Sequence, residues 1–569
     1  MSSPQPGTSP RDRTFTRPEI EALIADGKHI VIVDGKVIKC DAWMKYHPGG
    51  DLAIRHMVGR DATDEVTALH SIGAKQRMNA FVIGHVQGRW LNFVPPIQGG
   101  KFRTQAELEA PSSDVSCPET DEDDSSLESS TAPSPIFDSA DDNNGARRRR
   151  KDAVHSSATS ISSVELDDTE QKKPKKPKMS HLDARTLEEI NLDLETYPSL
   201  QPEVQDEIVR KYRALGQRIR DAGLYKCNYT SYLIEAARYS FFFSLFVLFL
   251  HKGWYCTSAI ALGCFWHQLV FTAHDAGHMG ITHDFTKDTI IGIIVADFLG
   301  GLSLGWWKRS HNVHHIVTNH TEHDPDIQQL PFFAVSHRYF ESLRSTYYDT
   351  VITFDAAAKF LVQFQHWLYY PVLCFGRFNL YVLSWHYLLG GNAIRRGPAW
   401  WHRWFEIAGQ LFFWFWFGYA TVYRSIPGFW NRIAFVLISH MVTAPVHVQI
   451  TLSHFAMSTV DLGTHESFAQ KMLRTTMDVD CPEWLDFFHG GLQFQAVHHL
   501  YPRIPRHNLR QAQRFVMDFC DDVRIPYGLY GFADGNHKVI SHLGDVARQA
   551  TILAACQRSM AESGDLGLH

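Results

Sequence analysis

His274-Asp-Ala-Gly-His278, His311-Asn-Val-His314-His315 and Gln495-Ala-Val-His498-His499 are three short clusters that carry most of the chemical information in this chain. On a helix, residues three or four apart share a face, so each cluster projects its imidazoles in one direction. Neutral imidazole ligates transition metals well. A donor set rich in nitrogen and poor in carboxylate suits iron, zinc or copper better than magnesium or calcium. Seven histidines in three groups are enough to hold two metal ions between them. Each group adjoins a long apolar stretch, which places the expected metal site at a membrane face. A lone histidine pair at helical spacing is ordinary surface or core decoration, but three such groups together are not.

Composition supports a membrane setting. The mean hydropathy of -0.21 averages a polar front with an apolar middle. The 15 Trp, 20 Tyr and 37 Phe suit aromatic belts at a bilayer interface, and 32 histidines exceed structural need. A net charge of -6 argues neither for nor against nucleic acid. The nine cysteines include no C-x-x-C pair and are expected to be reduced and structural. The first twenty residues have no apolar core of a secretory signal, so the front of the chain is expected in the cytosol.

Four segments are expected. Residues 14–95 form a small mixed domain, in which Ile30-Val-Ile-Val33, Asp34-Gly35 and Lys36-Val-Ile38 predict a strand, tight turn and strand. Residues 100–180 alternate acidic, serine-rich stretches with Arg147-Arg-Arg-Arg-Lys151 and Lys172-Lys-Pro-Lys-Lys-Pro-Lys178. So few large apolar residues cannot offset the entropy of ordering, which predicts a disordered linker. Its basic runs are expected to lie near anionic headgroups or simply to solvate the chain, with no nucleic acid bound. Residues 183–535 form the helical membrane domain and 536–569 a C-terminal tail on the cytosolic side.

Within the membrane domain, Tyr239–Leu250 (extended back to about Tyr232) and Trp254–Thr272 make one hairpin of spans, with Glu235 and Arg238 inside the extension. Trp404–Tyr423 and Phe429–Thr451 make a second. Thr289–Trp307 carries Asp297, and Phe360–Leu389 carries Gln363, Gln365, His366, Arg377 and Asn379. Charge is costly in lipid, so both are expected as interfacial or partly inserted helices. Four crossings then bring all three histidine clusters to the cytosolic face.

In the front domain, His47-Pro48-Gly49-Gly50-Asp51 follows the aromatic-rich Trp43-Met-Lys-Tyr46, and His70 lies further on. Two histidines facing one another across a flat pocket would fill both axial positions of a haem iron and make it an electron carrier. This segment resembles cytochrome b5, which implies haem b with His47 and His70 as its ligands. His56 and His85 match no ligand position and are expected at the surface.

The histidine clusters, with Trp306-Trp-Lys-Arg-Ser-His311, His315-Ile-Val-Thr-Asn319, Asp324-Pro-Asp-Ile-Gln328 and Phe494-Gln-Ala-Val-His-His-Leu-Tyr-Pro-Arg503-Ile-Pro-Arg506, resemble the membrane-bound desaturases and hydroxylases. Gln495 at the head of the third cluster and the cytochrome b5 domain resemble the front-end desaturases fused to cytochrome b5. Gly490-Gly-Leu-Gln-Phe-Gln495 and Glu322-His-Asp-Pro-Asp326 look most like the fungal sphingolipid Δ8-desaturases.

The resemblance implies an N-terminal α+β haem domain, a linker, and an all-α four-span integral membrane domain with a cytosolic di-iron cap, in the endoplasmic reticulum. It implies His274, His278, His311, His314, His315, His454, His498 and His499 as ligands of two non-haem irons. Gln495 sits at a ligand position but binds metal less readily than imidazole, and Asn319 and Asp324 would orient ligands. His320, His323, His440 and His447 are left with surface or packing roles.

The implied chemistry is O2-dependent desaturation of a lipid, a ceramide or sphingoid base. Electrons would come from the fused haem, reduced in turn by a separate NADH-dependent cytochrome b5 reductase, since no Gly-x-Gly-x-x-Gly follows a strand here. A flexible linker of about 80 residues spans roughly 50 Å and keeps delivery intramolecular. The alternatives are a Δ5 or Δ6 front-end fatty acyl desaturase and a fused fatty-acid hydroxylase, the latter disfavoured by Gln495. A non-enzymatic haem carrier leaves the histidine clusters unexplained.

Overall fold

The computed structural model describes residues 10–109 and 180–563. The bulk of the expected disordered linker, 110–179, therefore lies outside the described residues.

The front domain is built on a four-stranded sheet of β1 (Thr14–Phe15), β2 (Ile30–Val33), β3 (Lys36–Lys39) and β4 (Val82–Val86), in the order β1-β4-β3-β2. Strands β2 and β3 pair as an antiparallel hairpin with Val33 opposite Lys36. Asp34 and Gly35 both take positive φ, 51° and 70°, the geometry that a two-residue hairpin turn demands. Helices α1 (Leu52–Arg55) and α2 (Thr63–Leu69) lie beside the sheet.

The domain runs past residue 95. Phe102 packs edge-on against Phe93, and Arg103 Nε donates to Glu21 Oε1 at 2.9 Å, so the first residues assigned to the linker belong to this fold. His56, expected at the surface, is buried at 1 % exposure. Its ring lies against His323 of the helical domain, with Nδ1 accepting from the Gln98 amide at 2.9 Å and Nε2 bonded to the Thr346 hydroxyl at 3.2 Å.

The helical domain is anchored by α3 (Tyr229–His251) and α4 (Tyr255–Gly277). Among the described residues, three helices are long and apolar enough to cross a bilayer: α3, α4 and Phe429–Leu452. The number rises to four if Phe285–Leu299 and Leu304–Ile316, bent by 116° against each other, count as one span. The third expected span, Trp404–Tyr423, lies in the helix His402–Phe413 and its π-helical continuation Trp414–Ser425. Its Glu406 and Gln410 are buried against Ser303 and Asp297, and the break between two twelve-residue pieces sets it apart from the three long helices. Thr289–Trp307 is not one interfacial helix, because the chain turns sharply between Leu299 and Leu304. Phe360–Leu389 breaks into short helices, with Pro371 inside one of them.

Glu235 explains why α3 can start at Tyr229. It is buried at 8 % exposure and bound by Arg506 and by His507 Nε2, so a charge inside the first span has its counter-charge built in. The expected tail is also different. Phe532–Ser563 is one long helix, whose Val539, Leu543, Val546 and Ala550 pack on Phe333, Tyr369 and Phe455. Apolar residues three or four apart give that helix a face to bury.

Candidate metal centre and haem site

Three helical segments bring the histidine clusters together. The first cluster ends α4, the second lies on α5 (Leu304–Ile316), and the third on α6 (Gln495–Leu500). The ring centroids of His274 and His498 are 4.5 Å apart, those of His278 and His311 5.0 Å, and those of His314 and His499 4.8 Å. His454, just beyond the helix Ala444–Leu452, closes on His314 at 4.7 Å.

Two groups can each hold a metal ion: His274, His278, His311 and His498 in one, His314, His454 and His499 in the other. His315 lies between them, its Nε2 3.1 Å from His311 Nε2 and its ring stacked 4.3 Å from His499. His278 Nε2, His454 Nδ1 and His498 Nε2 are buried with no hydrogen-bond partner. Buried polar atoms are nearly always satisfied, so nitrogens left bare in a nest of imidazoles are what a metal site requires. Gln495, at the first residue of α6, is buried on the turn that presents His498 and His499.

Carboxylates aim the rings. Asp324 accepts from His314 Nδ1 at 2.8 Å and from the Asn319 backbone N–H at 2.7 Å, leaving His314 Nε2 facing His499 Nε2 across 3.2 Å. Asn319 adopts φ 59° and its side-chain amide donates to the His454 carbonyl at 2.8 Å, tying the turn after α5 to the His454 segment. Asp478 accepts from the Ala496 N–H at 2.7 Å, at the start of α6. Arg506 reaches Asp275 at 2.5 Å and Glu235, joining the loop after the third cluster to α3 and to the end of α4.

The two front-domain histidines face each other with ring centroids 5.8 Å apart. His47 Nδ1 donates to the Gly50 carbonyl at 2.7 Å, and His70 Nδ1 to the Val66 carbonyl at 3.2 Å. Those bonds leave both Nε2 atoms with free lone pairs toward the gap, the tautomer that axial ligation needs. Burial pushes both imidazoles down, His70 to about 3, so both stay neutral and able to ligate.

This pair sits against α5. Val313, Ile316 and Val317 share one apolar cluster with Leu52, Ala53 and Met57 of the front domain. Gly49 backs onto Asn312 so closely that a Cβ there would meet Asn312 Nδ2 at 2.5 Å. Asn312 is the sequence neighbour of His311, so the loop of one histidine site touches the helix of the other. Arg213 pairs with Asp64 at 2.8 Å and Arg89 with Asp206 at 3.1 Å around the rim.

Residues 252–531 match the fatty acid desaturase family, and residues 16–87 match the cytochrome b5-like haem/steroid binding domain. A Delta 8-(E)-sphingolipid desaturase of Emericella nidulans is 61 % identical over 98 % of this chain and 99 % of its own length. The chain belongs to the fatty acid desaturase family. Another Delta 8-(E)-sphingolipid desaturase, from Kluyveromyces lactis, is 47 % identical over 98 % of this chain and 97 % of the relative. An acyl-lipid (9-3)-desaturase of Borago officinalis is 36 % identical over 60 % of this chain and 76 % of its own. Membership makes the chain an oxidoreductase of lipid metabolism, with a haem-type domain fused to a membrane-embedded, iron-type desaturase domain.

Several residues of this desaturase fold carry weight that their sequence positions did not announce. Trp307 stacks on His311 with centroids 4.4 Å apart and also packs against His274 and His278. Asp326 lies 3.8 Å from His314 Nδ1 and 3.9 Å from His311 Nδ1, and with His314 and Asp324 forms a third group able to hold an ion. Both stand inside quoted motifs, so spacing from His311 was the available signal. Arg506 closes the quoted stretch that begins at Phe494, but Asp478 lies in none, because only tertiary contact connects it to the histidines.

Proposed function

We propose that this chain introduces a Δ8 double bond, of E geometry, into the long-chain base of a ceramide or related sphingolipid. The observation that carries this is the convergence of eight histidines, drawn from positions 274 to 499, on one patch beside the docked haem-type domain. The names of the full-length relatives supply the substrate class and geometry.

His274, His278, His311 and His498 would hold one non-haem iron and His314, His454 and His499 a second, with His315 between them and Gln495 beside them; His47 and His70 would hold haem b. Iron bound there supplies, with O2 and two electrons, the oxidising power that an unactivated methylene demands, since no side chain can deprotonate such a carbon. The rest falls to the protein. Asp324 fixes the tautomer of His314 and Asn319 locks the turn that presents it, so the ligands need no reorganisation. Trp307 walls one side of the first group. The apolar helices hold the lipid chain.

Electrons would enter from a separate NADH-dependent cytochrome b5 reductase at the haem domain and cross the Gly49–Asn312 contact. The setting proposed is a multi-pass protein of the endoplasmic reticulum membrane, with both termini and the histidine patch cytosolic.

The test is lipid analysis of cells that lack Δ8 unsaturation and express the chain. New 4,8-diene sphingoid bases are expected. New double bonds in fatty acyl chains alone would move the reading to a front-end acyl desaturase, and hydroxylated products would overturn desaturation.

A further inference from the structure

The apolar stretch Phe429–Leu452 runs straight into the metal patch, since its final helix Ala444–Leu452 is followed at once by Ser453 and His454. On that helix Gln449 is only 3 % exposed, yet neither its amide nitrogen nor its amide oxygen has a hydrogen-bond partner among the described residues. Ser453 is fully buried and its hydroxyl is equally bare. Its φ of -79° and ψ of -8° continue the helical path, so Gln449 and Ser453, four apart, share one face. Val446 shows where that face looks, because it packs with Phe271 of α4 and with Leu492. Phe271 stands three residues before His274, and Leu492 three before Gln495. The two bare side chains therefore point into the seam between the elements that carry the first and third clusters. The other side of the helix is taken up, with Val448 and Leu452 packed on Phe333 and Phe455.

Neighbouring polar side chains are satisfied. The Thr443 hydroxyl donates to the His440 carbonyl at 2.6 Å, and the Thr451 hydroxyl meets that of Tyr369 at 2.7 Å. A buried amide without a partner is costly, and a helix within a bilayer has no water to relieve it. Two such groups on one face, beside the metal patch, are what a polar part of a ligand would answer. Gln449 offers an acceptor and a donor side by side, and Ser453 adds a hydroxyl. The head end of a ceramide matches that set, with an amide N–H, a hydroxyl on the adjoining carbon and an amide carbonyl. An ester-linked acyl chain matches it poorly, because an ester only accepts and leaves the Gln449 oxygen unpaired.

We propose that Gln449 and Ser453 anchor the polar end of the lipid substrate, Gln449 by the amide N–H and adjoining hydroxyl of a ceramide and Ser453 by its carbonyl. The inference rests on the reading of the substrate as a sphingolipid. It gives both residues a task in specificity and in register. Gln449 precedes His454 by five residues, about 7.5 Å along a helix, which is the reach of a short run of methylenes. A head held there fixes which carbons of the chain come to the histidines, so the double bond is counted from the polar end.

The experiment gives the full-length holoprotein, with NADH and cytochrome b5 reductase, three lipids: a ceramide, its N-methyl analogue without the N–H, and its 3-deoxy analogue without the hydroxyl. The parent is expected to favour the ceramide by about tenfold in kcat/KM over each analogue. Gln449→Met should lose about tenfold on the ceramide, lose the discrimination, and give double bonds at carbons beside the eighth. Ser453→Ala, the smaller change, should lose about threefold. Iron and haem contents are expected to stay parental. The unfolding midpoint of lipid-free Gln449→Met should rise by about 2 °C, because an apolar chain replaces a bare amide. Parental discrimination in Gln449→Met overturns the proposal. So does a lowered midpoint, which would make Gln449 a packing residue, or a loss of iron, which would assign it to the metal centre. A parent that desaturates ceramide without discriminating overturns this inference alone, whereas a parent active only on fatty acyl lipids overturns the sphingolipid reading with it.

Discussion

His314 and Asp324 are joined by a 2.8 Å hydrogen bond between two fully buried side chains, and that bond points the other nitrogen of His314 at His499. Asp324→Asn removes the charge and the strong acceptor while keeping the volume. Partners of metal-bound histidines are typically worth about 10- to 100-fold in affinity or activity. The variant is expected to lose iron content and desaturation on that scale with normal haem. Iron per protein, measured beside turnover, is the check, and full iron occupancy with full activity would remove Asp324 from the site.

His498→Ala and His70→Ala should separate the two halves of the machine. The first takes one imidazole from the four-histidine group and is expected to abolish desaturation with the haem spectrum intact. The second is expected to remove the haem spectrum and the electron supply together. Full turnover in His498→Ala would refute the role of the third cluster.

Gly49→Ala tests the contact between the domains. A Cβ there would meet Asn312 Nδ2 at 2.5 Å and His47 Cε1 at 3.0 Å, so the loop must back away from α5. Turnover per bound haem should fall by about tenfold, as a small misplacement of reacting partners commonly costs that or more. Asn312→Ala in the same chain should recover part of it. Unchanged electron transfer from reduced haem in Gly49→Ala would show that this contact is not the route.

Arg474 is a stability prediction. Its guanidinium is buried at 1 % side-chain exposure between Glu466 and Asp193, at 2.8 Å from each. Arg474→Ala leaves two carboxylates without their cation, which costs about 3–5 kcal/mol in buried networks. Earlier thermal unfolding and faster proteolysis of the helix His181–Thr196, which carries Asp193, are expected. An unchanged unfolding midpoint would contradict this.

Deleting half of the charged segment 110–179 should preserve turnover, because the front domain is held against the helical domain by apolar contact with α5 and by the Arg213–Asp64 ion pair. Activity is the measurement, with haem content as control. Complete loss in a deletion that still binds haem would show that the segment does more than connect.

Local signals carried much of this protein. The hairpin Ile30–Lys39 was legible because alternation and an Asp-Gly turn act within ten residues. The histidine clusters were legible because helical spacing puts ligands on one face, and the motif around His47 because glycine and proline constrain a loop locally. The span count was less legible. Glu235 argues against a membrane helix until Arg506, from the other end of the domain, is seen to neutralise it. Trp404–Tyr423 reads as one continuous span, and its break at Phe413 and the bonds of Glu406 and Gln410 to Ser303 and Asp297 are seen only in the fold. The helix after Phe532 was missed because its partners, Phe333, Tyr369 and Phe455, are remote in the chain.

The order of residues alone determined the ligand types, their helical presentation and the family of chemistry, since these depend on identity and short-range spacing. Only the tertiary structure decided which histidines converge in each group, that Asp324 aims His314, and that the front domain seats against α5. Those are relations between side chains brought together from distant parts of the chain by burial of apolar surface, and no local rule contains them.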